Sequence, residues 1–534
     1  MSNSEATAVS TVNAFGVAGR QTAAHPQPIR WRLSWRWAHK WGGIISALWL
    51  AILGVTGFLL DHRDWRWIWQ TQTPEILIPD QFRKEHERAG FTVYRINPWD
   101  RNNVLAGGRQ GLWIMTGAKK WTPSGFKGMS GSPQVLALFE DQRVGWNRLY
   151  LATDDGVWLS KNGGRDFAPF ALPGEYVNAI SPGHDRGELL CVVDKSRLYE
   201  VDTLSGETVE IKLKPAGGSV VPGEIGLSRF VHDLHFGRGI VSGLGSLLIN
   251  DAGGILMVAL PITGLLFWLL PLRWRKKEGR ATHQERMRHR FTMKFLHRSH
   301  GLYMGIICVI PVVYLSVTGI ILDHRDALNP WMKKHDISMD FMPPVYSLDS
   351  WEGEISSVMG YMGDPRRISL GARSGLYTTR DGGESWFREN LPGPPSCYVW
   401  SMSRLEDSLF VGGMGCPNVI LSSNGTWSKV NGAGHMPLDA AMLGEETITM
   451  LSHGALYSGT IKEGFTRVDA SFPKPDGAPL FTFLDGLHSG LIIHEQWIWI
   501  NDLVSVLAIF LCVSGVVRIW RSRRVVARDF RPGT

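Results

Sequence analysis

A chain of 534 residues is too long for one ordinary domain and has the length for several independent cores. Its net charge of +7 would point to nucleic acid if the basic residues formed a stripe on a soluble domain, but they crowd beside apolar runs, which excludes that class. Five cysteines with no Cys-x-x-Cys-His exclude a disulfide scaffold and covalent c-type haem attachment.

Residues 1–30 are polar and contain no apolar h-region, so the first apolar segment is expected to be its own membrane signal. Crossing a bilayer takes about 20 predominantly apolar residues. Four segments have this character: 42–60, 252–272, 301–322 and 498–517, the last interrupted by Asn501 and Asp502. Arg30, Arg32, Arg36 and Lys40 precede the first. Arg273, Arg275, Lys276, Lys277 and Arg280 follow the second, and Arg518, Arg521, Arg523 and Arg524 follow the fourth. The positive-inside rule places those flanks in the cytoplasm. The predicted order is a cytoplasmic tail (1–35), a first span (36–61), an exterior β stretch (62–231), and a second span with an interfacial lead-in (232–272). A cytoplasmic loop (273–296), a third span (297–322), a second exterior β stretch (323–485), a fourth span with lead-in (486–518) and a cytoplasmic tail (519–534) complete it.

The chain repeats itself. Val55-Thr56-Gly57 leads to Asp61-His62-Arg63-Asp64, and Val317-Thr318-Gly319 leads at the same spacing to Asp323-His324-Arg325-Asp326. His235 precedes Asn250-Asp251 and Thr263-Gly264, as His488 precedes Asn501-Asp502 and Ser514-Gly515. Such matches mark a duplicated unit, with a pseudo-twofold axis along the membrane normal expected.

The exterior stretches read as short alternating strands separated by Gly, Asp and Asn turns. Ser160-Lys-Asn162-Gly-Gly164-Arg-Asp-Phe167 and Thr379-Arg-Asp381-Gly-Gly383-Glu-Ser-Trp386 resemble the sialidase-type Asp box of β-propellers, a turn-stabilising device that says nothing about sialidase activity. A degenerate third copy lies at Ser422-Ser-Asn424-Gly-Thr-Trp427. At about 40 residues per blade each stretch holds roughly three or four blades. Two half-propellers or one shared ring would fit, and one ring is favoured because closure protects strand edges. The fold class expected is membrane α plus β: a four-helix transmembrane bundle of two tandem repeats carrying all-β, propeller-like periplasmic domains. Cys397 and Cys416 fall in an exterior stretch where a disulfide is permitted, whereas Cys308 and Cys512 read as small core residues.

Histidines sit at the membrane edges, where an ionisable side chain is a functional hypothesis by default. His39, His297 and His300 open the first and third spans at the cytoplasmic end; His62 and His324 close them; His235 and His488 open the second and fourth. His39 and His62 lie about 35 Å apart along a straight helix, so they imply two layers of sites. Neutral imidazole is an axial ligand for haem iron, and histidines from equivalent helices can converge on a bundle axis. The inner layer would be His39 with His297 or His300, and the outer layer His235 with His488, with His62 and His324 as extra or alternative ligands. A single histidine at a helix end is ordinarily an interfacial polar group; the matched positions in two repeats favour ligands. His232, His283, His289 and His494 have no counterpart and default to structural or surface roles, and tryptophans near the span ends read as an aromatic belt.

His39-Lys-Trp41-Gly-Gly43 leading to Leu53-Gly-Val-Thr56-Gly57, His235-Phe-Gly237 leading to Thr263-Gly264-Leu-Leu-Phe-Trp268, and His297-Arg-Ser-His300-Gly301 resemble the PepSY-associated transmembrane family. Members are bacterial inner-membrane haem proteins that include ferric-siderophore reductases. The resemblance covers the membrane parts alone, and the exterior repeats depart from the family's small domain. It implies haem b between four helices, two groups expected or three if His62 and His324 also serve.

The function expected is transmembrane electron transfer through b-type haems to a periplasmic acceptor. Ferric-siderophore reduction, which would make the chain a haem-dependent oxidoreductase, is implied by resemblance. Partners would be membrane lipid, a quinol or cytoplasmic reductant as donor, and a periplasmic acceptor or partner protein, with no nucleic acid. The location expected is the bacterial inner membrane with both termini cytoplasmic. No Gly-x-Gly-x-x-Gly follows a strand, His494-Glu495 lacks the second histidine of a zinc-protease motif, and no Gly-x-Ser-x-Gly is present. The alternative is a non-redox periplasmic β-propeller scaffold or assembly factor anchored in the membrane.

Overall fold

The computed structural model describes residues 35–529 apart from 80–89, 118–119, 142, 216–223, 242–243, 277–278, 280, 342–343, 347, 394–396, 453 and 475–476. Residues 1–34 of the first predicted tail and 530–534 of the last, with Arg30, Arg32, Lys277 and Arg280, lie outside the described residues.

Seven helices organise the membrane part: α1 (Trp35–Asp61), α2 (Leu227–His235), α3 (Gly245–Arg275), α4 (His283–His297), α5 (Val309–Asp323), α6 (Leu480–Ser489) and α7 (Ile498–Asp529). Three helical segments, those of α1, α3 and α7, are long and apolar enough to cross a membrane. In lipid the backbone must satisfy its own hydrogen bonds, which a helix does. A fourth crossing forms if His283–Ile307 and Val309–Asp323, which meet at a 58° bend, are one span. Pro311 lacks the N–H that Ile307 O would accept, so the helix breaks at Cys308, just past a π-helical stretch at Arg298–Met304.

The helices share one apolar core. Leu50 and Leu53 of α1, Val312 of α5 and Val504, Ala508 and Cys512 of α7 are buried together with Cys308, and Leu256, Met257 and Leu260 of α3 pack against them. α1 and α3 approach so closely that a Cβ on Gly54 would stand 2.6 Å from Gly254 O, so only glycine fits there. His235 and His488 do not open the spans, as the sequence led us to expect. They end the separate helices α2 and α6, which stop at Gly237 and Gly490, both in the left-handed region with φ of +63° and +76°.

Among the described residues the two inter-helix stretches build six sheets of four antiparallel strands, and the second takes on a fifth, the short strand Gly125–Phe126, which pairs in parallel with its Asp166–Ala171 edge. Sheet I runs from Phe91–Ile96 to Lys120–Pro123, II from Val135–Glu140 to Asp166–Ala171, and III from Val177–Pro182 to Thr208–Ile211. Sheet IV runs from Ile355–Tyr361 to Phe387–Arg388, V from Tyr398–Leu405 to Trp427–Lys429, and VI from Pro437–Met442 to Gly464–Val468. A buried apolar cluster lies between each successive pair, for example Val93 and Leu105 of sheet I with Leu149 and Trp158 of sheet II. The last cluster joins Leu451 and Leu456 of sheet VI to Phe91 and Tyr94 of sheet I. Each such side chain withdrawn from water stabilises by about 1.5–3 kcal/mol.

The Asp-box turns join third strand to fourth. In sheet II, Gly164 N donates to Ser160 Oγ at 2.9 Å and Asp166 N to Asn162 Oδ1 at 3.0 Å; in sheet IV, Gly383 N donates to Thr379 Oγ1 at 3.0 Å and Ser385 N to Asp381 Oδ1 at 2.9 Å. Cys397 and Cys416 are joined by a disulfide in sheet V. Two short ladders tie the halves crosswise: Gln72–Thr73, after α1, pairs with Ala478–Pro479, before α6; Asp336–Ser338, after α5, pairs with Glu224–Gly226, before α2. Trp69 is not a belt residue, being buried and stacked on Phe481 at 4.1 Å.

Candidate functional site

α2 and α6 end side by side, and their last turns bring His235 and His488 together with ring centres 6.2 Å apart. Each ring is tied to the helix of the other repeat unit that passes beside it. His488 Nδ1 meets Thr56 Oγ1 of α1 at 2.8 Å, and His235 Nδ1 meets Thr318 Oγ1 of α5 at 3.0 Å. The glycine after each threonine makes room: a Cβ on Gly57 would lie 3.2 Å from His488 Cε1, and one on Gly319 would lie 3.5 Å from His235 Cε1.

The opposite ends of the helices repeat this construction. His39 and His300 stand 6.4 Å apart between ring centres, nearly perpendicular at 85°. His39 Nδ1 meets Ser514 Oγ of α7 at 2.7 Å, and His300 Nδ1 meets Thr263 Oγ1 of α3 at 3.0 Å. Gly515 and Gly264 again follow the hydroxyl residue and underlie the rings. The structure brings His300 opposite His39, while His297 is exposed and faces Phe267 at 6.2 Å. Thr56 lies 17 residues after His39 and Thr318 lies 18 after His300. The π-helical stretch that carries His300 absorbs the extra residue, which is what such a bulge does.

The hydroxyls fix the tautomers. Thr56, Thr263 and Thr318 each donate to the carbonyl four residues earlier at 2.7 Å, and Ser514 donates to Leu511 O at 3.2 Å. With its proton so used, each hydroxyl accepts from the imidazole. The ring proton is therefore on Nδ1, and Nε2 keeps its lone pair. Among the described residues none hydrogen-bonds to Nε2 of His39, His235, His300 or His488. A histidine held through Nδ1–H with Nε2 available is the arrangement of a metal ligand with its outer-shell partner. Two such imidazoles within one site would be the residues to hold a metal or haem iron between them. Both pairs offer that donor set, His235 with His488 and His39 with His300. Along α1 the two levels are ~25 Å apart.

His62 and His324 are placed differently. His62 Nε2 bonds Asp251 Oδ1 at 3.1 Å with its ring stacked on Trp65 at 4.3 Å; His324 Nε2 bonds Asp502 Oδ2 at 2.7 Å beside Trp499. Their Nε2 atoms face carboxylates, and the two rings are brought neither to each other nor to either pair. The asparagine next to each carboxylate braces the histidine helices: Asn250 Nδ2 donates to His235 O at 2.8 Å and Asn501 Nδ2 to Ser489 O at 3.0 Å. His289 stacks on Trp274 at 4.0 Å and His494 Nδ1 accepts from Gln496 N. Sequence reasoning used the Thr-Gly, Ser-Gly and Asn-Asp pairs only as markers of duplication. Their recurrence beside a histidine was the signal that they hold it.

Above the His235–His488 pair a cavity of about 1240 Å³ runs between the six sheets, lined by the first strand of each and by Asp61, Arg63, Asp64, Phe236 and Arg238 at its helix end. Asp64 binds Arg109 at 2.9 Å, Lys195 at 3.1 Å and Tyr176 Oη at 3.2 Å. Burial opposes ionisation of Asp64, but Lys195, Arg109 and Arg63 outweigh it and hold its carboxyl well below the usual range. Burial pushes the Tyr176 phenol up to about 12.

No curated protein sequence matches the chain. Among solved structures the chain is similar to an ancestral GH74 enzyme (10% identity, 76% of this chain and 40% of that one, TM-score 0.31). It is also similar to PorZ of the Porphyromonas gingivalis type-IX secretion system (10%, 72% and 33%, TM-score 0.34) and to YCF48 from Cyanidioschyzon merolae (10%, 71% and 85%, TM-score 0.30). The chain thus spans less than half the length of the first two. The PepSY-associated TM region matches residues 36–345, more than half of the chain, and takes in α1 to α5 with the histidines His39, His235 and His300. This is a membrane protein that belongs to the PepSY-associated TM family.

Proposed function

We propose that the chain is a transmembrane electron-transfer protein holding two b-type haems, one between His235 and His488 and one between His39 and His300. The observation that carries this reading is the fourfold use of one device: an imidazole locked by a hydroxyl at Nδ1, cushioned by the following glycine, and paired with a second imidazole held in the same way. Haem would supply a one-electron redox centre at each level. The chain's own residues fix ring orientation through Thr56, Thr318, Thr263 and Ser514 and keep the sites between apolar helices.

The helices form, in this reading, a two-repeat four-helix bundle, and the six sheets one closed propeller to which each repeat contributes three blades. The basic flanks put the propeller on the exterior of an inner membrane, with both termini inside, and the Cys397–Cys416 disulfide suits that side. The donor is a quinol or a cytoplasmic reductant. The acceptor is exterior, and reduction of a ferric chelate is favoured by family membership alone.

The visible spectrum of protein purified from haem-replete cells tests the reading. We expect a Soret band that shifts on reduction and two haems per chain by pyridine haemochrome. A colourless preparation would overturn it and leave a membrane-anchored scaffold as the function.

A further inference from the structure

Five cationic side chains, Arg63, Arg109, Lys195, Arg238 and Arg373, line the central cavity toward its helix end together with the carboxylates of Asp61 and Asp64, and Arg373 donates to Arg238 O at 2.9 Å. Asp64 satisfies Arg109 and Lys195. Arg63 and Arg238 differ, because among the described residues neither guanidinium has a hydrogen bond or an ion pair. Arg63 Nε is closed off from solvent without a partner, and the guanidinium lies over the Trp400 ring at 5.6 Å. Both line the same cavity floor, and the Arg238 cation first, and burial second, pull Arg63 down to about 10.

The cations midway along the same cavity are built otherwise. Arg95 pairs with Asp439 at 2.6 Å and Arg404 donates to Gly360 O at 2.5 Å. Like charges deep in a protein oppose folding, and the cations here outnumber the two carboxylates Asp61 and Asp64, so the place invites a further counter-charge. A guanidinium presents paired N–H donors that match the oxygens of a carboxylate or phosphate. The place also has a neighbour: Phe236 lines the cavity, and its ring lies 5.6 Å from that of His235.

We propose that the cavity floor binds a small multivalent oxyanion, bearing carboxylate or phosphate groups, between Arg63 and Arg238, with Lys195 and Arg109 adding to the positive field. The anion is thereby held one side chain away from the His235–His488 pair. As an anion site this stands on the cavity alone; as the seat of the electron acceptor it rests on the function proposed above.

Calorimetric titration of the full-length, detergent-solubilised protein with citrate and with inorganic phosphate at low ionic strength tests the site, with Trp400 fluorescence as a second signal. Citrate should bind more tightly than phosphate. Arg63→Gln and Arg238→Gln should each weaken citrate at least tenfold, Arg63→Lys should recover part of the loss, and Arg404→Gln should leave affinity unchanged. Absence of citrate binding by the native protein, or equal affinity in Arg63→Gln, Arg238→Gln and the native chain, would overturn the proposal. Titration reads binding and not electron flow, so citrate binding by a haem-free preparation would support the anion site while defeating the redox reading.

Discussion

His488 Nδ1 donates to Thr56 Oγ1 across 2.8 Å, so a residue near the end of the chain is oriented by the first membrane helix. His235 has the same relationship with Thr318 at 3.0 Å. The exchange is reciprocal, each half of the duplicated sequence supplying the imidazole that the other half orients. Neither half can build this site alone, which gives a physical reason for the two copies to be fused in one chain.

The Thr56 contact is testable by a substitution that keeps shape and removes the acceptor. Thr56→Val should leave the fold intact but release His488 from its tautomer, and loss of such an outer-shell partner typically costs 10–100-fold in metal affinity. We expect faster haem loss to an excess of apomyoglobin from one of two sites, with Thr56→Ser restoring retention. Identical loss rates in native and Thr56→Val protein would remove the threonine from the site.

His300 and His297 separate a ligand from a neighbour. His300 faces His39 at 6.4 Å, whereas His297 sits three residues away on the exposed side of the helix. His300→Ala should lower the haem count from two to one per chain and leave the signature of the His235–His488 site, while His297→Ala should keep both. The reverse result would make His297 the ligand and remove His300 from the site.

The apolar helices and the β-character of the stretches between them were legible because each rests on local pattern: apolar length, and strands broken by Gly-Asp turns. The histidine layers were legible too, since position along a span fixes depth. The choice between His297 and His300 was not, because it depends on a π-helical residue insertion that leaves no compositional trace. Nor could sequence place His62 and His324 against Asp251 and Asp502, contacts between side chains nearly two hundred positions apart. The cavity floor was equally hidden: Arg63 and Arg325 occupy identical repeat motifs, yet only Arg63 lies under the sheets, while Arg325 is 72% exposed.

The Cys397–Cys416 disulfide closes a short loop in sheet V, with a sequence separation of 19. For a loop of this order the entropy removed from the unfolded chain is worth about 3 kcal/mol. Cys416→Ser should therefore lower the melting temperature of the sheet domain. A melting temperature equal to that of the native protein under non-reducing conditions would show that the bond does not form in solution.

Asp64 offers a pH test whose sign is fixed by its surroundings. Its carboxyl is held below the ordinary range by Lys195, Arg109 and Arg63 against the opposing effect of burial. A carboxyl whose folded pKa lies below its unfolded value of about 3.9 stabilises the fold above that pH, and the contribution disappears as pH falls through the folded value. Asp64 is 39% exposed to the cavity, so solvent screening limits the gain. Asp64→Asn should cost about 1–3 kcal/mol at neutral pH by leaving Arg109 and Lys195 without their counter-charge. Tryptophan-monitored unfolding of both proteins from pH 7 to pH 2 should show the two stabilities converging toward the acid end, as protonation does to Asp64 what the substitution has already done. A gap that stays constant over that range would mean that Asp64 acts through packing, and that the cations at the cavity floor are balanced by some other group.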